Sequence, residues 1–158
     1  MIVNGWTLLA HACFLDQVER LTAAVQTARA RAPDGYRHNA NTRLLAAIVK
    51  LATVDIPTDP AAARWRQGNT LGPDRRHWFR AKFAQGRFRL FFRFHSTQRI
   101  IVHAWVNDTH TLRKRGARTD PYAVFTAMLA AGNPPDDWTA LKQAATAEAG
   151  RWERVVRE

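Results

Sequence analysis

A single cysteine, Cys13, stands among 158 residues, so no intrachain disulfide can form and no cysteine-ligated zinc site can be assembled. No apolar run approaches the ~20 residues that a membrane-spanning helix needs. The first residues have neither the basic start nor the long apolar core that directs secretion. The expectation is a soluble, cytoplasmic protein with no membrane partner. Neither a phosphate loop nor a dinucleotide glycine fingerprint occurs, and internal repeats and low-complexity tracts are absent. Acid is scarcest where base is densest: from Arg75 to Arg118, twelve Lys and Arg face Asp108 alone. Two-metal nucleases gather several carboxylates. No metal site and no cofactor is expected.

What is present is basic and aromatic. The net charge is +11 and the isoelectric point about 11.3, a balance that favours polyanions. Half of the 24 Lys and Arg fall within the 44 residues from Arg75 to Arg118, together with His77, His95, His103 and His110. The rest of the chain is close to balance. With 46% hydrophobic residues the chain can bury a core, and its length fits one domain.

Two runs in the basic segment alternate in the way a strand requires. In 77–83, Phe79, Ala81 and Phe83 share one side, with Trp78, Arg80 and Lys82 on the other. In 87–95, Phe88, Leu90, Phe92 and Phe94 oppose Arg87, Arg89, Phe91, Arg93 and His95. Ala84-Gln85-Gly86 reads as the turn of a hairpin. A third strand over 99–107 places Ile100, Val102, Ala104 and Val106 toward the core, with Ile101, His103, Trp105 and Asn107 opposite. Paired, these strands predict a buried phenylalanine face and an open face of cations and rings, suited to phosphate and splayed bases.

Around this meander the spacing predicts a first strand in 2–12, a helix over 15–32 and a second over 41–53. Residues 55–76, with Pro57, Pro60, Gly68, Gly72 and Pro73, read as a long ordered loop. Asp120 followed by Pro121 predicts a capped helix start, ending near Gly132. After Asn133-Pro134-Pro135 a last helix is expected over 136–156. The order gives an α+β fold with helices packed on the apolar face of the sheet.

Several segments resemble the YhaV toxins. They are Asn4-Gly5-Trp6 with Leu9, His11 and Phe14; 66–72; 77–83; 89–93; 104–108; and 133–138. The resemblance runs to about residue 142, which implies one RelE-like ribonuclease domain over 1–142 and a C-terminal helical extension over 143–158. It implies a RelE-like fold, a twisted antiparallel β-sheet with two N-terminal helices on one face and C-terminal helices. The implied activity is that of a type II toxin: an endoribonuclease that cuts mRNA, in many relatives on the ribosome. It further implies a PrlF-like antitoxin of AbrB fold, with operator DNA reached only through that antitoxin. The family pattern of basic strand residues maps to Arg80, Lys82 and Arg89. Its basic loop maps to Arg113, Lys114 and Arg115, and its tyrosine to Tyr122, across a loop of different length.

RNA can be cut without metal when its own 2′-OH attacks the adjacent phosphate. Arg80, Arg89 and Arg93 suit the phosphoryl charge, because guanidinium is permanently charged and forks onto two oxygens. His95 and His103 are candidates for acid and base, and Lys82 is a third. Trp78, Phe91 and Trp105 are candidate base platforms, and Arg87 a phosphate contact. Plainer readings stand beside these. A lone strand histidine is more often structural than catalytic, and strand arginines can serve only to block edge pairing. A non-catalytic RNA- or ribosome-binding inhibitor of translation stays open. A DNA-binding regulator is weaker, since no helix carries a cluster of base-reading side chains.

Overall fold

The structure, a computed structural model, describes residues 1–157. It opens with β1 (Ile2–Val3) and β2 (Trp6–Ala10), joined by Asn4 and Gly5, both at positive φ. An Asn-Gly pair in that conformation matches the right-handed strand twist and closes a two-residue hairpin. The expected first strand is therefore two antiparallel ones. Helix α1 (Ala12–Arg31) follows, capped by the His11 ring, which accepts from the Cys13 amide at 3.0 Å. Helix α2 (Ala40–Lys50) widens into a π turn over Leu51–Asp55 and closes with the single turn α3 (Ile56–Thr58).

The meander forms as the alternation predicts: β3 (Phe79–Phe83), β4 (Phe88–His95) and β5 (Ile100–Val106). Sheet order is β1-β2-β5-β4-β3. Every pairing is antiparallel except β2 with β5, which run parallel after the helical crossover. Helix α4 (Pro121–Ala130) starts on the Asp120 cap, whose carboxylate accepts from the Tyr122 amide at 3.1 Å. The expected last helix is two, α5 (Trp138–Ala147) and α6 (Ala149–Arg157), broken at Glu148. The break turns Trp152 into the core beside Phe14. Arg151 meets Asp16, Glu19 and Glu148 at the surface of the same contact. The result is an α+β protein consistent with a RelE-like arrangement.

Both faces of the sheet are covered, which corrects the expectation of an open basic face. One core joins Leu8, Ala10, Leu90, Phe92 and Ile101 to Phe14, Leu15, Val18 and Ile48 of α1 and α2. A second lies beneath α4 and α5, where Trp78, Phe91, Val102, Ala104 and Trp105 meet Tyr122, Phe125, Leu129 and Leu141. Phe91 stacks on Phe125 with centroids 4.3 Å apart. The rings expected to face solvent are the wall of a second core.

The third strand departs from simple alternation for a local reason. Phe91 pairs with Trp105 but Phe92 pairs with His103, so Ala104 is the extra residue of a β-bulge. A bulge inserts one residue and re-aims what lies on either side. Val102 and Trp105 therefore point toward α4, and His103 points toward α1.

Candidate active site

Strand alternation sets Arg80 and Lys82 of β3 and Arg89 of β4 on the α4 side, with Lys82 and Arg89 directly paired across the strands. Arg80 is 9% exposed and Arg89 5%. Burying a cation is costly unless its N–H groups find acceptors. Here they find neutral oxygens. Arg80 donates from Nε to the Tyr122 hydroxyl at 2.9 Å and from Nη1 to the Arg64 carbonyl at 2.9 Å. Arg89 donates from Nε to the same hydroxyl at 3.0 Å, and from Nη1 to the carbonyls of Gly86 at 2.7 Å and Phe88 at 3.0 Å. Among the described residues neither guanidinium has a carboxylate partner.

Tyr122 is the hub of this arrangement. Its oxygen accepts from two guanidiniums, so both lone pairs are used and its own hydrogen is left to donate. Arg89 and Arg113 lie over its ring, their guanidinium carbons 5.5 and 5.0 Å from the centroid. Asp120 holds the far side. Its Oδ1 accepts from Arg113 at 2.6 Å and from the Lys114 amide at 2.8 Å, while Oδ2 caps α4. One carboxylate thus fixes both the helix that carries Tyr122 and the loop that carries Arg113. Asn107 staples the same corner: Oδ1 accepts from the Arg89 amide at 2.7 Å, and Nδ2 donates to the carbonyls of Arg87 and Thr111. Around the rim, Lys82, Arg87, Lys114 and Arg115 are exposed.

Arg93 and His95 sit in a different cluster, toward the other end of β4. Arg93 lies between Trp78 and Trp138, 5.5 and 5.4 Å from the two ring centroids, and donates to the Asp136 carbonyl. Burial lowers its pKa, opposed by the Asp136 and Asp137 carboxylates. His95 stacks on Trp138 at 5.6 Å. Asp136 accepts from Trp78 at 2.6 Å and pairs with His77 at 2.8 Å. Burial pushes its carboxyl up, but the bonds from His77 and Trp78 and the nearby cations hold it below its ordinary value.

His103 is elsewhere altogether. It is fully buried on the α1 side, against Phe14, Phe92 and Trp152, with Nε2 bonded to the Ala52 carbonyl at 2.9 Å. Burial pushes its pKa down to about 4 although the Ala52 bond opposes this. The bulge at Ala104 is the physical reason, and it takes His103 away from the cationic cluster. Trp78, Phe91 and Trp105 are likewise not platforms for a base, being 0%, 0% and 5% exposed.

The structure therefore brings together Arg80, Lys82, Arg89, Arg113 and Tyr122, with Arg87, Lys114 and Arg115 at the rim. It does not bring Arg93, His95 or His103 to them. Asp120, Asn107 and the Arg64 carbonyl belong to the site and carry no signal of their own beyond the cap that Asp120 forms. Among the described residues no three His, Cys, Asp or Glu side chains converge as metal ligands do, and no helix is long and apolar enough to cross a membrane.

Residues 8–146 match the model of a family described as a toxin with endonuclease activity, of a toxin–antitoxin system, Toxin_YhaV. The chain is 42% identical over 140 residues to the ribonuclease toxin YhaV of Escherichia coli K12, covering 88% of this chain and 91% of that protein. It is also 42% identical over 142 residues to the toxin YhaV of Escherichia coli O6:H1, covering 89% and 92%. No solved structure matches it at a significant level.

Proposed function

The chain belongs to the YhaV toxin family, and from that premise we propose that it is an endoribonuclease whose centre is Arg80, Arg89 and Tyr122. The observation that carries this reading is the pair of buried guanidiniums sharing one phenol oxygen, with no carboxylate counter-ion among the described residues. An uncompensated buried charge attracts an anion, and two guanidiniums at fixed spacing suit a phosphodiester.

In the proposed reaction the 2′-oxygen attacks phosphorus and gives up its proton, and the bond to the 5′-oxygen breaks as that oxygen gains one. The products are a 2′,3′-cyclic phosphate and a 5′-hydroxyl. Arg80 and Arg89 face the charge that builds on the phosphoryl oxygens, and their bonds to protein oxygens hold them in place beforehand. Proton transfer falls to the groups built into the cluster: the Tyr122 hydroxyl, whose hydrogen is free, and Lys82 at the rim. Arg113 adds charge over the ring, and Arg87, Lys114 and Arg115 guide the strand in. The substrate is mRNA, free or on the ribosome, in the cytoplasm.

Membership of a toxin–antitoxin system carries an antitoxin partner with it. We assign that role to a PrlF-like protein of AbrB fold that lays an acidic or helical segment across the rim above Arg80, Lys82 and Arg89. Operator DNA is then contacted through the antitoxin. The competing reading is an inhibitor that acts by occupying RNA or ribosome without cutting.

The test is an RNA carrying a single 2′-deoxyribose at the cut nucleotide. Cleavage of the all-ribose strand to a cyclic phosphate, with the deoxy strand intact, is the expected result. Equal cleavage of both strands would exclude attack by the 2′-oxygen. Binding without cleavage of either strand would favour the occupancy reading.

A further inference from the structure

With Trp78, Phe91 and Trp105 sealed under α4 and α5, the rings left part-exposed on this side lie at the far end of β4: Trp138, His95 and His77. They are ordered. Trp78, Arg93, Trp138 and His95 form a layered stack, ring to cation to ring to ring. The turn after β4 clamps its outer end: the Trp138 indole donates to Gln98 Oε1 at 3.1 Å, and His95 Nδ1 accepts from the Gln98 amide at 3.1 Å. The Arg93 cation is not fully used, because its Nε is buried without a partner among the described residues. Arg75 and Arg76 lead toward His77 along the preceding turn.

This stack is in register with the cationic centre. Arg80 pairs with Phe91 across β3 and β4, and Arg93 and His95 lie two and four residues further along β4 on the same side, about 7 Å and about 13 Å at the rise of a strand. These distances are of the order of one to two steps along a single-stranded nucleic acid. An aromatic layer beside a cation is the arrangement on which single-stranded bases stack without regard to sequence.

We propose that Trp138, His95 and Arg93 form a second nucleotide subsite, which takes the base of a single-stranded RNA nucleotide flanking the one held at Arg80 and Arg89. The inference rests on the reading of Arg80 and Arg89 as the phosphate site. The base stacks on the outer face of His95, with the Trp138 ring behind the imidazole and the Arg93 charge beneath that ring. The subsite gives binding and direction to the strand, and its residues do no chemistry. It also accounts for two residues, Arg93 and His95, that the catalytic cluster leaves out.

The experiment uses fluorescein-labelled single-stranded RNA heptamers with 2′-deoxyribose at the central nucleotide, each with one abasic nucleotide moved along the strand. Their binding to the full chain is followed by anisotropy. One abasic position next to the centre is expected to weaken binding about tenfold, the scale of one stacked base. Trp138→Ala should weaken binding of the fully based strand by a similar factor and have no further effect on that abasic strand. Trp138→Phe, which keeps a ring, should restore most of the loss. His95→Ala, on the outer layer, provides a second variant should Trp138→Ala fail to fold. Equal loss on based and abasic strands would make the residues structural supports and overturn the subsite, as would no loss on either. A protein platform in place of a base platform would show the same null on RNA. Failure of the parent reading looks different: the abasic dependence survives, but Arg89→Ala binds as tightly as the native chain.

Discussion

The two faces of this sheet each bury polar groups, and they do so in opposite ways. Toward α1 the polar group at the centre is His103, which burial keeps neutral, with its pKa pushed down to about 4. Among the described residues it makes one side-chain bond, to the Ala52 carbonyl, and its Nδ1 has no partner. Toward α4 the buried groups are Arg80 and Arg89, which cannot discharge. They are held by the Tyr122 hydroxyl and by carbonyl oxygens. A histidine can escape the cost of burial by losing its proton. An arginine cannot, so its place beneath α4 has to be compensated from outside. One face buries a group that sheds its charge, and the other retains the charge that the proposed function assigns to RNA phosphate.

The largest expected effect breaks the cationic face. Arg89→Ala should reduce RNA cleavage by about a hundredfold or more, the usual scale for removing a preorganised charge donor at a developing oxyanion. Single-turnover assays on a defined RNA would read it.

The histidine face should respond to pH instead. Between 6.5 and about 4 the unfolded chain accepts a proton at His103 that the native chain refuses. Stability is therefore intact above about pH 6.5 and falls as pH drops toward 4, by a total on the order of 3 kcal/mol. Urea unfolding of the native chain and of His103→Gln at pH 7 and pH 4.5 isolates this term. The native chain should lose more stability than the variant, and a parallel loss in both would remove His103 as the cause.

Tyr122→Phe sharpens the comparison by keeping the ring in its core and deleting only the shared oxygen. Cleavage should fall about tenfold or more, on the scale of one acid–base or positioning group, and the unfolding midpoint should drop as well, because two buried N–H groups lose their acceptor at a cost of about 1–3 kcal/mol. The smallest effect lies at the rim. Lys114→Ala should lower RNA affinity across sequences and reduce the salt-dependence slope by about one, as for the loss of a single phosphate contact. Affinity measured over a range of salt concentrations would show it.

Much of this organisation is legible in the residues, and the illegible parts have specific causes. The β3–β4 hairpin follows from the alternation of apolar side chains with bases, and the α4 start follows from Asp120-Pro121. The first hairpin is also written in the sequence, in Asn4-Gly5, yet a continuous apolar stretch around that pair reads as one strand. The facing of His103 could not be read, because period-two counting carries no signal for a bulge at Ala104. Nor could the covering of Trp78, Phe91 and Trp105, since alternation assigns a side chain to a face but says nothing of what packs over it. Arg80, Arg89 and Tyr122 lie 42 and 33 residues apart in their pairings. The resemblance to the family suggested that grouping, and the chain's own patterning gave only its two arginines.

The most direct measurement maps 5′ ends by primer extension on one defined mRNA, with the native chain, Arg89→Ala and His103→Gln side by side. The difference between the two faces predicts identical new ends for the native chain and His103→Gln, and none for Arg89→Ala. Undiminished cutting by Arg89→Ala, or a folded His103→Gln that no longer cuts, would contradict it.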